Sequence, residues 1–182
     1  RKRLENLGVL IIKDSSANKA GVISSSFEVL CGLTLGREEF VREKKNLVDE
    51  ILEILREKAC DEARLILAEH DKTKEQLSDI SDKISKKING FADQLLDYLA
   101  TVELSKDPKN PLIRCFLNYC PPTLRNKYQK QLLERISDNH IKAVIASRIA
   151  STLVYKRGLD WYPTIVDILP LVLEDVALLN QK

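Results

Sequence analysis

The sequence predicts a mainly α protein: a long antiparallel helical hairpin, further helices, and one short β-strand near the amino end. Three observations carry that expectation. Two long segments repeat apolar residues at three- and four-residue steps, and only six glycines and six prolines punctuate the 182 residues. A single run, Val9-Leu10-Ile11-Ile12, is continuous and β-branched rather than periodic. Sparse Gly and Pro leave few turns and favour long helices. A short apolar run between Gly8 and Lys13-Asp14 favours a buried strand.

The elements follow in order. After the strand, Asp14-Ser15-Ser16 is expected to turn, and a helix runs from near Asn18 to about Leu33, closed by Gly32 and Gly36. Residues 37–70 carry Leu47/Val48, Ile51/Leu52, Leu55, Ala59, Ala63 and Ile66/Leu67 on one stripe, which demands a helical partner. Thr73 with Gln76 has the form of a capping box. From there Leu77, Ile80, Ile84, Ile88, Phe91, Leu95, Tyr98 and Val102 recur at steps of 3, 4, 4, 3, 4, 3 and 4, close to heptad order. The short break between the two stripes predicts an antiparallel hairpin in preference to one kinked rod. Asn110 caps and Pro111 opens a short helix to Tyr119. Pro121-Pro122 breaks it, and a helix is expected from Thr123 to Ile136. Ser137-Asp138-Asn139 caps the next, which turns Ile141, Val144/Ile145, Ile149 and Leu153 inward and ends at Gly158. Asp160 is expected to cap a last helix through Leu179.

Charge and cysteine usage narrow the function classes. A net charge of +2 is too balanced to predict nucleic acid or an anionic membrane surface as partner. The last apolar stretch is divided by Asp167, Pro170, Glu174 and Asp175, so a buried helix is expected there and not a membrane span. Cys31, Cys60, Cys115 and Cys120 show neither secreted-type pairing nor zinc spacing, and they read as reduced thiols of a cytoplasmic protein. The chain opens Arg1-Lys2-Arg3 without a signal-like segment and contains no Met, so a piece of a longer protein is expected.

The stretch "SANKAGVISSSFE", residues 16–28, is the one place where the residue types suggest chemistry. At a strand-to-helix junction the first N–H groups are unpaired and favour an anion. Gly21 permits close approach to the backbone. Asn18 offers a donor and acceptors, and Ser25 can donate to a carboxylate. Positions 18, 22 and 25 share one helical face. Residue types alone leave two readings open, plain helix caps or an anion and cofactor site.

The run Leu7 to Leu30, "LGVLIIKDSSANKAGVISSSFEVL", resembles the glutamate dehydrogenase segment in which a strand leads into N-A-G-G-V-x-x-S-x-F-E. Two departures stand in it, Lys19 for the usual Ala and Ala20 for the first Gly. "IKAVIASRIASTLVYKRG", Ile141 to Gly158, resembles the carboxy-terminal helix of the large NAD-specific bacterial glutamate dehydrogenases. The resemblance implies that residues 1–36 are the edge of an NAD-binding, Rossmann-type domain, of which the strand is a remnant, and that 37–182 form an all-helical carboxy-terminal domain. It implies that Asn18 contacts the nicotinamide end of NAD, that Gly21 leaves room for the ligands, that Val22 shapes the substrate pocket, and that Ser25 binds the side-chain carboxylate of L-glutamate or 2-oxoglutarate. The chain has no G-x-G-x-x-G loop and no segment to supply the family's catalytic lysine and aspartate. No catalytic residue is therefore assigned, no metal is expected, and the chain alone is expected to be inactive. Its partners would be the rest of the same polypeptide and further copies in a homo-oligomer. The alternative is a non-catalytic helical interaction or oligomerisation module.

Overall fold

Two of the described helices begin on side-chain caps that the sequence supplies. In the computed structural model, which describes residues 1–17, 19–164 and 167, Asn110 Oδ1 accepts the Leu112 N–H at 2.9 Å and Pro111 occupies the first helical position. Ser137 Oγ accepts the His140 N–H at 3.3 Å. The described elements are α1 (Lys2–Glu5), α2 (Asp14–Ala17), α3 (Lys19–Thr34), α4 (Arg37–Thr73), α5 (Leu77–Ala100), α6 (Pro111–Tyr119), α7 (Pro122–Lys127), α8 (Gln129–Arg135) and α9 (Asp138–Arg157).

The expected strand does not form. Residues 9–13 carry no regular structure, and Val9, Leu10 and Ile12 are 47%, 64% and 42% exposed. A strand must pair its backbone with a neighbour, and the described residues supply none. The Val9 N–H goes instead to the Leu4 carbonyl at 3.1 Å. The expected turn at Asp14-Ser15-Ser16 is a single helical turn, α2.

The two long helices fold back through residues 74–76, with a different division of roles from the one the stripes predict. At about 1.5 Å per residue α4 extends about 55 Å. It runs through Thr73, whose Oγ1 donates to the Glu69 carbonyl at 2.8 Å and accepts the Glu75 N–H at 3.2 Å. Lys74, at φ 60°, then reverses the chain. Thr73 thus finishes α4, and no side chain caps α5 at Gln76. A threonine one turn from a carbonyl satisfies it locally, which overrides the expected capping box. The α4 stripe is only half used, because Leu47 and Ile66 are buried while Val48, Leu52 and Leu67 stay exposed.

The face of α5 is buried chiefly against α9. Leu77, Ile80, Ile84, Phe91, Leu95 and Leu99 lie on one side of this seam, and Ile141, Ile145, Ile149 and Val154 on the other. Polar ties at both ends set the helices antiparallel. Lys142 Nζ reaches the Val102 carbonyl at 2.7 Å, and Lys87 Nζ donates to the Leu159 carbonyl. The expected helix from Thr123 to Ile136 is broken at Tyr128, whose buried hydroxyl accepts from Arg42 Nη2 at 3.0 Å and approaches Glu43 Oε1 at 3.4 Å. Most of the expected last helix, through Leu179, lies outside the described residues.

Gly158 ends α9 at φ 79°, ψ −170°. Only glycine adopts that region readily, and a Cβ there would also meet Glu69 Oε1 at 3.4 Å. Gly158→Ala is expected to lower stability by about 1–3 kcal/mol, the usual cost of such strain. Urea unfolding of the chain measures it, and an unshifted midpoint would show that the turn relaxes freely.

Candidate functional site

Three of the four singled-out positions are described, and all three lie in the first turns of α3. Asn18 itself lies outside the described residues. The helix sorts its residues by face. Phe27, Leu30, Cys31 and Thr34 are buried in the common core, while Gly21, Val22 and Ser25 face outward. Val22 is 81% exposed, an extreme value for a branched apolar side chain. Gly21, Val22 and Ser25 thus lie together on a solvent-facing side of α3.

The three consecutive serines do different things. Ser24 Oγ and Ser25 Oγ each donate to the Gly21 carbonyl at 3.0 Å. Among the described residues this back-bonding is how the two hydroxyls are satisfied. Ser26 points to the body of the protein and accepts the Tyr119 hydroxyl at 3.0 Å. The Tyr119 ring stacks on Phe27, with centroids 5.0 Å apart and planes at 29°. Arg135 Nη1 donates to the Thr34 carbonyl at 2.7 Å and neutralises the carboxy end of α3.

The chain leading into α3 is tethered as well. Lys2 Nζ donates to Gln76 Oε1 at 2.9 Å and pairs with Asp79, Gln76 Nε2 donates to Asn6 Oδ1 at 2.6 Å, and Lys13 pairs with Asp82. Residues 1–17 are thereby strapped to the start of α5.

Burial pushes the Cys31 and Cys115 thiols up to about 11 and Cys120 to about 12. They stay protonated near neutrality and are poor nucleophiles. Among the described residues, no three His, Cys, Asp or Glu side chains gather as a metal site. No helix among those residues is long and apolar enough to cross a membrane. An open polar cleft of ≈ 380 Å³ between α4 and α7 is occupied at its rim by Glu50, which accepts the Thr123 N–H and hydroxyl at 2.9 and 2.8 Å. Those bonds cap α7. The partners Tyr119 and Arg135 carry no sequence signal, because they stand 93 and 101 positions from the α3 groups they hold.

Relatives are found over nearly the whole chain. Glutamate dehydrogenase 2 of Dictyostelium discoideum is 36% identical over 172 residues, covering 88% of this chain and 16% of that protein. The NAD-specific glutamate dehydrogenase of Neurospora crassa is 32% identical over 171 residues, covering 86% of this chain and 16% of its own length. That of Saccharomyces cerevisiae is 30% identical over 174 residues, with 88% and 16% covered. The chain thus spans about 16% of the length of these curated relatives. No family model and no solved structure matches it. The relatives are eukaryotic, so they support the NAD-specific class as a whole and do not single out the bacterial enzymes. Over most of its length, this chain is homologous to one segment of the NAD-specific glutamate dehydrogenases.

Proposed function

We propose that the chain is the carboxy-terminal part of an NAD-dependent glutamate dehydrogenase, which deaminates L-glutamate oxidatively to 2-oxoglutarate and ammonia. The observation that carries this reading is the order Asn18, Gly21, Val22, Ser25 at the start of a helix whose described positions face outward. Exposed Val22 and a Ser25 hydroxyl back-bonded to the Gly21 carbonyl suit a surface completed by another domain. Residues 1–36 are the edge of the NAD-binding domain and 37–182 the helical domain, joined through the buried Phe27 and Leu30. The residues fit one wall of a nicotinamide and substrate cleft and lack a dinucleotide-phosphate loop, so the chain alone is inactive.

Within that cleft Asn18 orients the nicotinamide amide, Gly21 keeps the backbone open, and Val22 packs against the methylene groups of the substrate. Ser25 turns its hydroxyl from the Gly21 carbonyl to the distal carboxylate. Asn18 and Gly21 would border the nicotinamide end of NAD, which when bound would supply the hydride acceptor for oxidation at the substrate α-carbon. The enzyme works in the cytoplasm as a homo-oligomer, and the exposed apolar positions Val41, Val48 and Leu52 on α4 suit a subunit contact.

In the full-length enzyme, Ser25→Ala is expected to reduce kcat/KM for glutamate about ten- to a hundredfold, the worth of one hydrogen bond to a charged group. Asn18→Ala should chiefly weaken NAD use. Steady-state kinetics beside melting temperatures test both. Wild-type kinetics with lowered melting temperatures would make these residues caps and overturn the reading.

A further inference from the structure

We infer that Tyr119, at the end of α6, is a positioning residue for the substrate wall on α3. This inference rests on the dehydrogenase reading of that wall. The direction in which Ser25 and Val22 point is set by the rotation of α3 about its own axis. Their side-chain atoms stand about 5–6 Å from that axis, so a 10° roll, an illustrative angle, moves the Ser25 hydroxyl about 1 Å. Displacements of about 1 Å at reacting or binding groups can cost up to a hundredfold in rate.

Phe27 and Leu30 anchor α3 in the core, but apolar burial is non-directional and does not by itself select one roll angle. A directed hydrogen bond does. Tyr119 supplies one, from its hydroxyl to Ser26 Oγ at 3.0 Å, and adds a ring stacked on Phe27. Ser26 is the immediate neighbour of Ser25, so this bond acts where the roll must be controlled. Arg135 grips the Thr34 carbonyl at the other end of the helix, about 12 Å away along the axis at 1.5 Å per residue. Two polar pins on one stiff rod fix its roll and its slide together. Burial raises the Tyr119 pKa, which keeps the phenol protonated as the donor. The helical body thereby sets the aim of a wall that it does not itself form.

The test uses the full-length enzyme with Tyr119→Phe, which keeps the ring on Phe27 and removes the hydroxyl. The expected result is a rise of about two- to tenfold in KM for glutamate, the worth of one neutral hydrogen bond, with KM for NAD unchanged. The second variant, Ser26→Ala, removes the acceptor and should give the same split. The double variant should be no worse than either single one. An unchanged glutamate KM in both single variants, with Ser25→Ala impaired, would overturn the positioning role and leave the wall standing. If Ser25→Ala is silent as well, the wall itself falls. Should Tyr119→Phe fail to fold, Ser26→Ala alone decides, since its side chain lies at the edge of the core.

Discussion

Ile145→Asp is expected to abolish cooperative folding of the helical body. Ile145 is fully buried in α9, on the face that packs against α5. An unpaired carboxylate there costs several kcal/mol, against a net stability of about 5–15 kcal/mol for a typical domain. Leu67→Asp on α4 is the matched control. Its site is 47% exposed, and surface changes usually stay within about 0.5 kcal/mol. Thermal melts by circular dichroism should show no cooperative transition for the first and a near-parental one for the second. A parental melt for Ile145→Asp would mean that the α5–α9 seam is not the core.

Phe27→Ala is expected to cost about 3–5 kcal/mol, the usual range for deleting a buried aromatic side chain. The loss should be unevenly felt. Phe27 is the large fully buried side chain of α3 and the partner of the Tyr119 ring, so removing it should loosen α3 before α5 or α9. Hydrogen exchange should then speed up first at the α3 amides. A loss under about 1 kcal/mol by urea unfolding, well below the range for such cavities, would mean that α3 is not anchored through this residue.

These two residues mark where the sequence was readable and where it was not. Ile145 stands in a 3.6-residue pattern, and the periodicity of α9 is enough to turn it inward. The caps at Asn110 and Ser137 and the stop at Gly158 were equally legible, because each is decided by a few adjacent residues. Periodicity tells that a helix has an apolar face but not what covers it. Leu52 and Val48 therefore looked like core beside Leu47, yet the face of α5 went mainly to α9. Val9 to Ile12 failed for a related reason, since a strand is made by the strand beside it.

The candidate site divides in the same way. The spacing of Asn18, Val22 and Ser25 forecast a shared face, and α3 turns the two described positions, Val22 and Ser25, outward together. The back-bond from Ser25 to the Gly21 carbonyl was not legible, because three hydroxyls in a row give no sign of which carbonyl each will take. Nor was the Tyr119–Ser26 bond, which joins residues far apart in the chain. Long-range partners of this kind are a property of the packed helices and not of any local pattern.

Substrate discrimination by the full-length enzyme tests the central claim most directly. If Ser25 receives the distal carboxylate of glutamate, the ratio of kcat/KM for glutamate to that for norvaline, which ends in a methyl group, should fall about tenfold or more in Ser25→Ala. Activity toward norvaline itself should hold. A ratio equal to that of the parent enzyme, with only the melting temperature reduced, would contradict the account and return Ser25 to the role of a helix-end hydroxyl.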